Sequence, residues 1–192
     1  MEPIDTGRLI VRHFSETDLP DLLAYQTHPD IQKYEAIEPK TEEQAAQFLA
    51  RQADPETWAG AGWLAFAVYH PGDGKVIGEV GVFVEKEPKS EGNIGWTLHP
   101  DYHGQGYATE AAQILVRYAF LERHLHRLTS GCDARNTASW RLMERLGMRR
   151  EGHFRQSRQT RGEWQDEYLY ALLRDEWLTQ QAQKPPGDLF PE

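Results

Sequence analysis

A strand that turns through two glycines into a helix is the feature that most constrains the fold of this chain. Residues 93–99 alternate apolar side chains with smaller or polar ones, as a half-buried β-strand does. Gly104 and Gly106 follow, and after them apolar residues recur at the spacing of one buried helix face. Those positions are Ala108, Ala111, Ala112, Leu115 and Ala119. The unit predicts an α/β protein.

Such a loop has the chemistry of an anion site. The first amides of a helix lack intrahelical partners, the helix dipole adds partial positive charge, and glycine lets a phosphate approach the backbone. Gly-x-Gly alone also fits a tight turn, and both interpretations stay open at this point. Thr109 stands where the dinucleotide fingerprint needs a third glycine, and Tyr107-Ala108 stand where a P-loop needs Lys-Ser/Thr. Both of those phosphate loops are excluded.

A third template fits. The run His103-Gly-Gln-Gly-Tyr-Ala108 resembles the acyl-CoA pyrophosphate loop of the GNAT superfamily of N-acetyltransferases, usually Arg/Gln-x-x-Gly-x-Gly/Ala. Asn136-x-x-Ser139, followed by Leu146-Gly147-Met148, resembles the family's Asn-x-x-Ala/Ser … Gly-Phe/Met segment.

The C-terminal part is similar to the RimJ/RimL-type branch of that family. It reads Trp164-Gln-Asp166 with Tyr168 and Tyr170, then Glu176-Trp177. The resemblance covers about residues 8–177.

The order of elements predicts one α/β (α+β) domain with a mixed, mostly antiparallel sheet of about seven strands flanked by helices. Helices are expected to begin near Ser15, Thr41, Gly106 and Asn136. The strands are expected at residues 8–14, 63–69, 75–85, 93–99, 127–133, 148–158 and 166–173. The resemblance adds that the central strands at 93–99 and 127–133 splay apart. The domain is expected to span residues 1–178, and a flexible tail residues 179–192.

The composition of the chain narrows the functional classes to which it can belong. The chain has 30 Asp and Glu against 21 Lys and Arg, a net charge of −9, which argues against a nucleic-acid binder. A negative net charge is compatible with a cationic substrate such as an amine, and it is equally explained by a need for solubility. No apolar run is long enough to cross a membrane, Cys132 is the single cysteine, and we expect a cytoplasmic protein.

The resemblance implies acetyl-CoA as co-substrate and no metal. The backbone of the strand residues Trp96, Thr97 and Leu98 would pair with the pantetheine arm. The side chain of Asn136 would also contact that arm, although asparagine is equally a good helix N-cap. The diphosphate would be bound by His103, Gly104, Gly106, Tyr107, Ala108 and Thr109. His103 departs from the family's Arg/Gln, and a neutral imidazole is a weaker phosphate partner than a guanidinium.

Transfer to an amine needs a path for the amine proton and an acid for the leaving thiolate. Many family members carry a tyrosine seven residues after the Asn, but Met143 stands there and cannot donate a proton. The resemblance makes Ser139 the candidate catalytic acid, although Ser139 also fits as an ordinary first-turn residue.

The general base stays open among Glu79, Glu35, Asp166 and a chain of waters. Tyr34, Glu35 and Glu79 are candidate contacts to the acceptor substrate. Glu79 fits either an exposed edge of the sheet or a cleft.

The function predicted is transfer of an acetyl group to a primary amine, on a protein N-terminus or a small molecule, by direct attack on the thioester. The alternative is a non-catalytic acyl-CoA sensor or interaction module. Dimers are common in this branch, so a homodimer is a further expectation.

Overall fold

The computed structural model describes residues 2–34, 38–85 and 90–183. The strands are β1 Ile4–Asp5, β2 Ile10–His13, β3 Gly62–His70, β4 Lys75–Val84, β5 Glu91–Leu98, β6 Arg127–Asp133, β7 Arg149–Thr160 and β8 Glu163–Leu173. The helices are α1 Leu19–Gln26, α2 Pro29–Gln32, α3 Glu42–Ala53, α4 Pro55–Ala59, α5 Tyr107–Arg117, α6 Thr137–Arg145 and α7 Arg174–Ala182. None of the described helices is long and apolar enough to span a membrane.

All of the described strands form one sheet in the order β1-β2-β3-β4-β5-β6-β8-β7, and β5–β6 is its parallel pair. The predicted mixed, mostly antiparallel architecture is therefore confirmed. The sheet has eight strands rather than about seven, because Ile4–Asp5 pairs with Ile10 and Val11 across a turn at Gly7. A strand of two residues is too short to show an alternating pattern.

The predicted splay lies between β5 and β6. Their parallel register covers Glu91 to Asn93 against Arg127 to Thr129 and goes no further. Beyond it, Ser130 Oγ still donates to the carbonyl of Ile94 at 2.9 Å. Each strand keeps its outer neighbour, β4 or β8, along its length. The sheet therefore opens between its two central strands.

Two apolar clusters flank the sheet. The larger one joins the buried face of α5, including Ala111, Ala112 and Leu115, to the inner residues of β3, β4 and β5. The smaller one packs α1 and α3 against the opposite face, where Phe48 and Leu49 are buried as the amphipathic pattern predicts. Strands β3 and β4 contribute side chains to both clusters, so the two clusters together cover both faces of this part of the sheet.

Strand β4 departs from the predicted alternation. A register shift opposite Val68 and Tyr69 inserts Ile77 as an extra residue. Val76 consequently packs in the smaller cluster and Ile77 in the larger one, whereas strict alternation along the strand would place Val76 on the same face as Val80 and Ile77 on the opposite face. A bulge adds one residue to one strand and so inverts the facing of everything on one side of it.

The chain ends differ in detail from the prediction. Helix α7 continues to Ala182, so residues 179–182 are helical where the start of a flexible tail was predicted. Residues 184–192 lie outside the described part.

Candidate functional site

A cleft of about 1370 Å³ opens where β5 and β6 diverge. It runs from the loop before α5, past the start of α6, to α1 and α2 on the far side. The predicted site residues that line it are Tyr34, Glu79, Trp96, Thr97, Leu98, His103, Gly104, Gly106, Tyr107, Ala108, Thr109, Asn136 and Ser139. Glu35 lies outside the described residues.

The loop before α5 keeps its amides free. Among the described residues, no backbone N–H from Gly104 to Thr109 donates to a protein acceptor, and the first bond of the helix runs from Glu110 N to Gly106 O at 3.1 Å. Gly104 and Gly106 have φ of 75° and 86°, the left-handed region that favours glycine. Six successive free amides at a helix N-terminus suit a diphosphate.

The space around that loop is also open. A Cβ built on Gly104 would meet nothing within 4 Å, and one on Gly106 would meet the guanidinium of Arg8, at 3.6 Å. An anionic group therefore has room to approach both glycines, and the residues present fit a diphosphate.

Strand β5 presents a free backbone edge to the cleft. Trp96, Thr97 and Leu98 pair with β4 on one side, while β6 has already diverged on the other, where His103 Nε2 lies 2.8 Å from the Leu98 carbonyl. An extended amide-containing chain can add to such an edge as a further strand does. Below it, the indole of Trp63 crosses Gly81 and Gly95, whose built Cβ atoms would lie 2.5 and 3.1 Å from the ring.

Asn136 and Ser139 lie at the start of α6, beside β6. Asn136 Oδ1 accepts from the backbone N–H of Ser139 at 3.2 Å, so the predicted N-cap role is present. Ser139 is half-buried and also lines the cleft. Met143, at the position of the family's tyrosine, is fully buried among apolar side chains.

Cys132 lies in the cleft wall as a protonated thiol. Burial raises the pKa of this thiol to about 11, and the hydrogen bond from Ser139 offsets only part of that rise. At neutral pH it is therefore a small, weakly polar residue rather than a nucleophile.

Glu79 lies in the middle of the sheet, not at an edge. It faces Thr97 across the β4–β5 pair and lines the cleft. Its Oε2 accepts from the hydroxyl of Tyr25 at 3.1 Å. Tyr25 is fully buried, and burial, followed by the nearby charge of Glu79, raises the pKa of its phenol well above the ordinary value. The tyrosine thus stays protonated and orients the carboxylate.

Asp166 has a structural role. Its carboxylate accepts from Gln156 N at 2.9 Å and from His153 Nε2 at 2.8 Å. These bonds hold the register shift of β7, where Gln156 has a φ of 48°. The backbone bond and the imidazole also lower the pKa of Asp166, which makes it a poorer base. Asp166 does not line the cleft, so nothing in the geometry favours it as the base.

Sequence reasoning missed several residues that line the cleft, among them Arg8, Tyr25, Trp63 and Arg145. Each reaches the cleft from an element distant in sequence. No local sequence signal marked a binding residue in the connection before β2, on the buried side of α1, in β3 or in the last turn of α6.

Comparison with known proteins identifies relatives. Residues 8–149 match the model of a family described as Acetyltransferase (GNAT) domain. The chain is 36% identical over 174 residues to the uncharacterized N-acetyltransferase YnaD of Bacillus subtilis, covering 91% of this chain and 98% of that protein.

Solved structures give the same result. An acetyltransferase of the GNAT family from Bacillus anthracis superposes with a TM-score of 0.78 at 34% identity, over 91% of this chain and 99% of that one. RimL, described as a ribosomal L7/L12 alpha-N-protein acetyltransferase in complex with coenzyme A, superposes with a TM-score of 0.78 over 91% and 99% of the two chains. At 18% identity this last likeness shows the fold alone.

Proposed function

This chain belongs to the GNAT family of acetyltransferases, and we propose that it transfers the acetyl group of acetyl-CoA to a primary amine. The observation that carries the proposal is the combination in one cleft of the free amides of residues 104–109 and the unpaired edge of β5. The free amides suit a diphosphate, and the edge of β5 suits an extended chain that contains amides. Acyl-CoA carries both groups, one after the other along the molecule.

Acetyl-CoA supplies an activated thioester carbonyl. In the transfer, the amine nitrogen forms a bond to that carbon, the C–S bond breaks, one proton leaves the amine, and the thiolate takes up a proton. The residues of this chain have to bind the donor, orient the amine and move those two protons.

Two residues of the cleft suit the proton steps. Ser139 presents a hydroxyl at the first turn of α6, on the side where β5 and β6 diverge, and suits a hydrogen bond to the leaving sulfur. Glu79, oriented by Tyr25, presents a carboxylate from β4 that suits the acceptor amine, either by direct contact or through water.

For the acceptor we propose a protein N-terminus first and a small-molecule amine second. A relative from Escherichia coli, 30% identical over 84 residues or 44% of this chain, is named as a ribosomal protein uS5-alanine N-acetyltransferase. A peptide terminus is a primary amine on an extended chain, and the cleft continues past Glu79 to Tyr34 and α2, which leaves room for residues behind the amine.

The test is acetylation of an acceptor panel, followed by mass spectrometry of the acceptors. The panel pairs short peptides with free N-termini, the same peptides with blocked N-termini, and small primary amines. Acetylation of the free peptides alone supports a protein N-terminus. Binding of acetyl-CoA with no acetylated product would favour the sensor, and no binding of acetyl-CoA would contradict both.

A further inference from the structure

The loop that would bind the diphosphate has no cationic side chain of its own. Residues 103–109 contain no lysine or arginine, and His103 occupies the position where the family usually has Arg or Gln. His103 Nε2 lies 2.8 Å from the carbonyl oxygen of Leu98. Because a carbonyl oxygen only accepts, Nε2 donates in this bond, and one of the two ring nitrogens of His103 is already used within the protein.

Arg8 reaches the loop from the connection between β1 and β2, but its charge is already compensated by Glu110. Its Nε donates to Glu110 Oε2 at 3.0 Å, its Nη2 contacts the same oxygen, and its Nη1 donates to the Gln105 carbonyl at 3.2 Å. Its guanidinium also lies over the ring of Tyr107, 5.0 Å from the centroid. Arg8 thus joins β2, the loop and the first turn of α5.

Arg145 reaches the loop from the other side. It lies in the last turn of α6, and its Nε donates to Thr109 Oγ1 at 3.1 Å. It makes no ion pair to any residue that the structure describes, and it lines the cleft. It is exposed, so its guanidinium retains donors for a ligand.

We propose that Arg145 supplies the cation that the loop lacks and binds a phosphate of acyl-CoA, while Arg8 is a positioning residue that fixes the loop. This inference rests on the proposed function. The group that Arg145 would bind is a phosphate oxygen, which a guanidinium binds strongly. Acyl-CoA has such oxygens in two places, the diphosphate and the 3′-phosphate.

Arg141 is a matched control for Arg145. It lies one turn earlier on α6, is exposed, stacks on Trp140 at 5.4 Å from the ring centroid, and does not line the cleft. Arg141→Gln and Arg145→Gln remove the same charge from the same helix. Neither side chain is buried, and thermal denaturation checks that both variants stay folded.

The experiment measures the affinity of both variants and the wild type for acetyl-CoA by calorimetry. We expect Arg145→Gln to raise the Kd about tenfold, which corresponds to one charge-assisted contact, and Arg141→Gln to change it less than about twofold. The Arg145→Gln deficit should shrink as ionic strength rises, because salt screens a charge contact at the surface.

Dephospho-CoA, which lacks the 3′-phosphate, identifies the source. If the difference between wild type and Arg145→Gln disappears with dephospho-CoA, Arg145 binds the 3′-phosphate; if it persists, Arg145 binds the diphosphate. Arg8→Gln should weaken both ligands alike, because it removes the bonds that fix the loop and leaves the Glu110 carboxylate unpaired beside it.

Two results would overturn the assignment. One is Arg145→Gln binding acetyl-CoA as tightly as Arg141→Gln does, which would leave Arg145 as a favourable charge at a helix C-terminus. The other is an Arg145→Gln deficit that does not shrink as ionic strength rises, because a contact between Arg145 and a phosphate at the surface is screened by salt. Failure of the proposed function is a separate outcome, because the wild type itself would then not bind acetyl-CoA.

Discussion

Asn136 accepts the backbone hydrogen of Ser139 through Oδ1, at 3.2 Å, and thereby caps the helix that presents the Ser139 side chain. Its Nδ2 group makes no hydrogen bond to the residues that the structure describes, although Asn136 lines the cleft. The two ends of one carboxamide can therefore serve two purposes. The oxygen stabilises α6, and the nitrogen is left to donate to a ligand.

Substitutions at Asn136 should separate these purposes. Asn136→Ser keeps a side-chain cap but loses the Nδ2 donor, whereas Asn136→Ala loses both. We expect the serine variant to unfold like the wild type but to bind acetyl-CoA several-fold more weakly. The alanine variant should show the same loss of affinity and, in addition, a lower free energy of unfolding by about 1 kcal/mol. Wild-type affinity in Asn136→Ser would reduce Asn136 to a helix cap.

Ser139→Ala should lower kcat by about tenfold or more while leaving the Kd for acetyl-CoA within about twofold, if the hydroxyl acts on the leaving thiolate. Thr137→Ala is the control, because Thr137 is an exposed hydroxyl residue in the same helical turn and does not line the cleft. Steady-state kinetics and calorimetry measure the two quantities. An unchanged kcat in Ser139→Ala would remove Ser139 from the reaction.

Gly104→Ala should weaken acetyl-CoA binding, because an L-residue disfavours the φ of 75° and rotates the neighbouring amides. Gly162 in the β7–β8 turn has a φ of 83° and equally open surroundings, but lies outside the cleft. Each alanine variant should therefore unfold about 1 kcal/mol more easily than the wild type. Calorimetry should show lost affinity for Gly104→Ala alone, and equal affinity in both would contradict the loop assignment.

Cys132 provides a pH-dependent probe of the same cleft. Since burial raises the pKa of its thiol to about 11, the thiol is protonated at neutral pH, and its alkylation rate should rise steadily as the pH approaches that value. Saturating acetyl-CoA should slow the reaction, because Cys132 lines the cleft. The chain has no other cysteine, so mass spectrometry of the whole protein reads the rate. Fast alkylation at pH 7, or no protection, would contradict this placement.

Elements with local signals were predictable from the sequence. The capping box of Thr41 and Gln44 and the left-handed Gly147 after α6 lie where their residue types predicted. Each signal lies within a few residues, and the physical cause is equally local.

The partners that complete the site were not predictable. Tyr25 and Glu79 are separated by 54 positions, Arg8 and the Gln105 carbonyl by 97, and Arg145 and Thr109 by 36. Which side chains meet over such distances depends on strand order and on register shifts such as the one at Ile77. The periodicity of the sequence gives neither the strand order nor the register shifts. The arginines beside the loop could therefore be identified only from the structure.

The amides of residues 104–109 form the proposed binding site for the diphosphate. Titration of uniformly ¹⁵N-labelled protein with acetyl-CoA, followed by amide proton–nitrogen correlation spectra, tests that assignment directly. We expect saturable downfield shifts of the Gly104 to Thr109 amide protons as they donate to phosphate oxygens, with smaller changes along residues 93–98. Binding of acetyl-CoA that leaves the resonances of Gly104 to Thr109 unmoved would contradict the account.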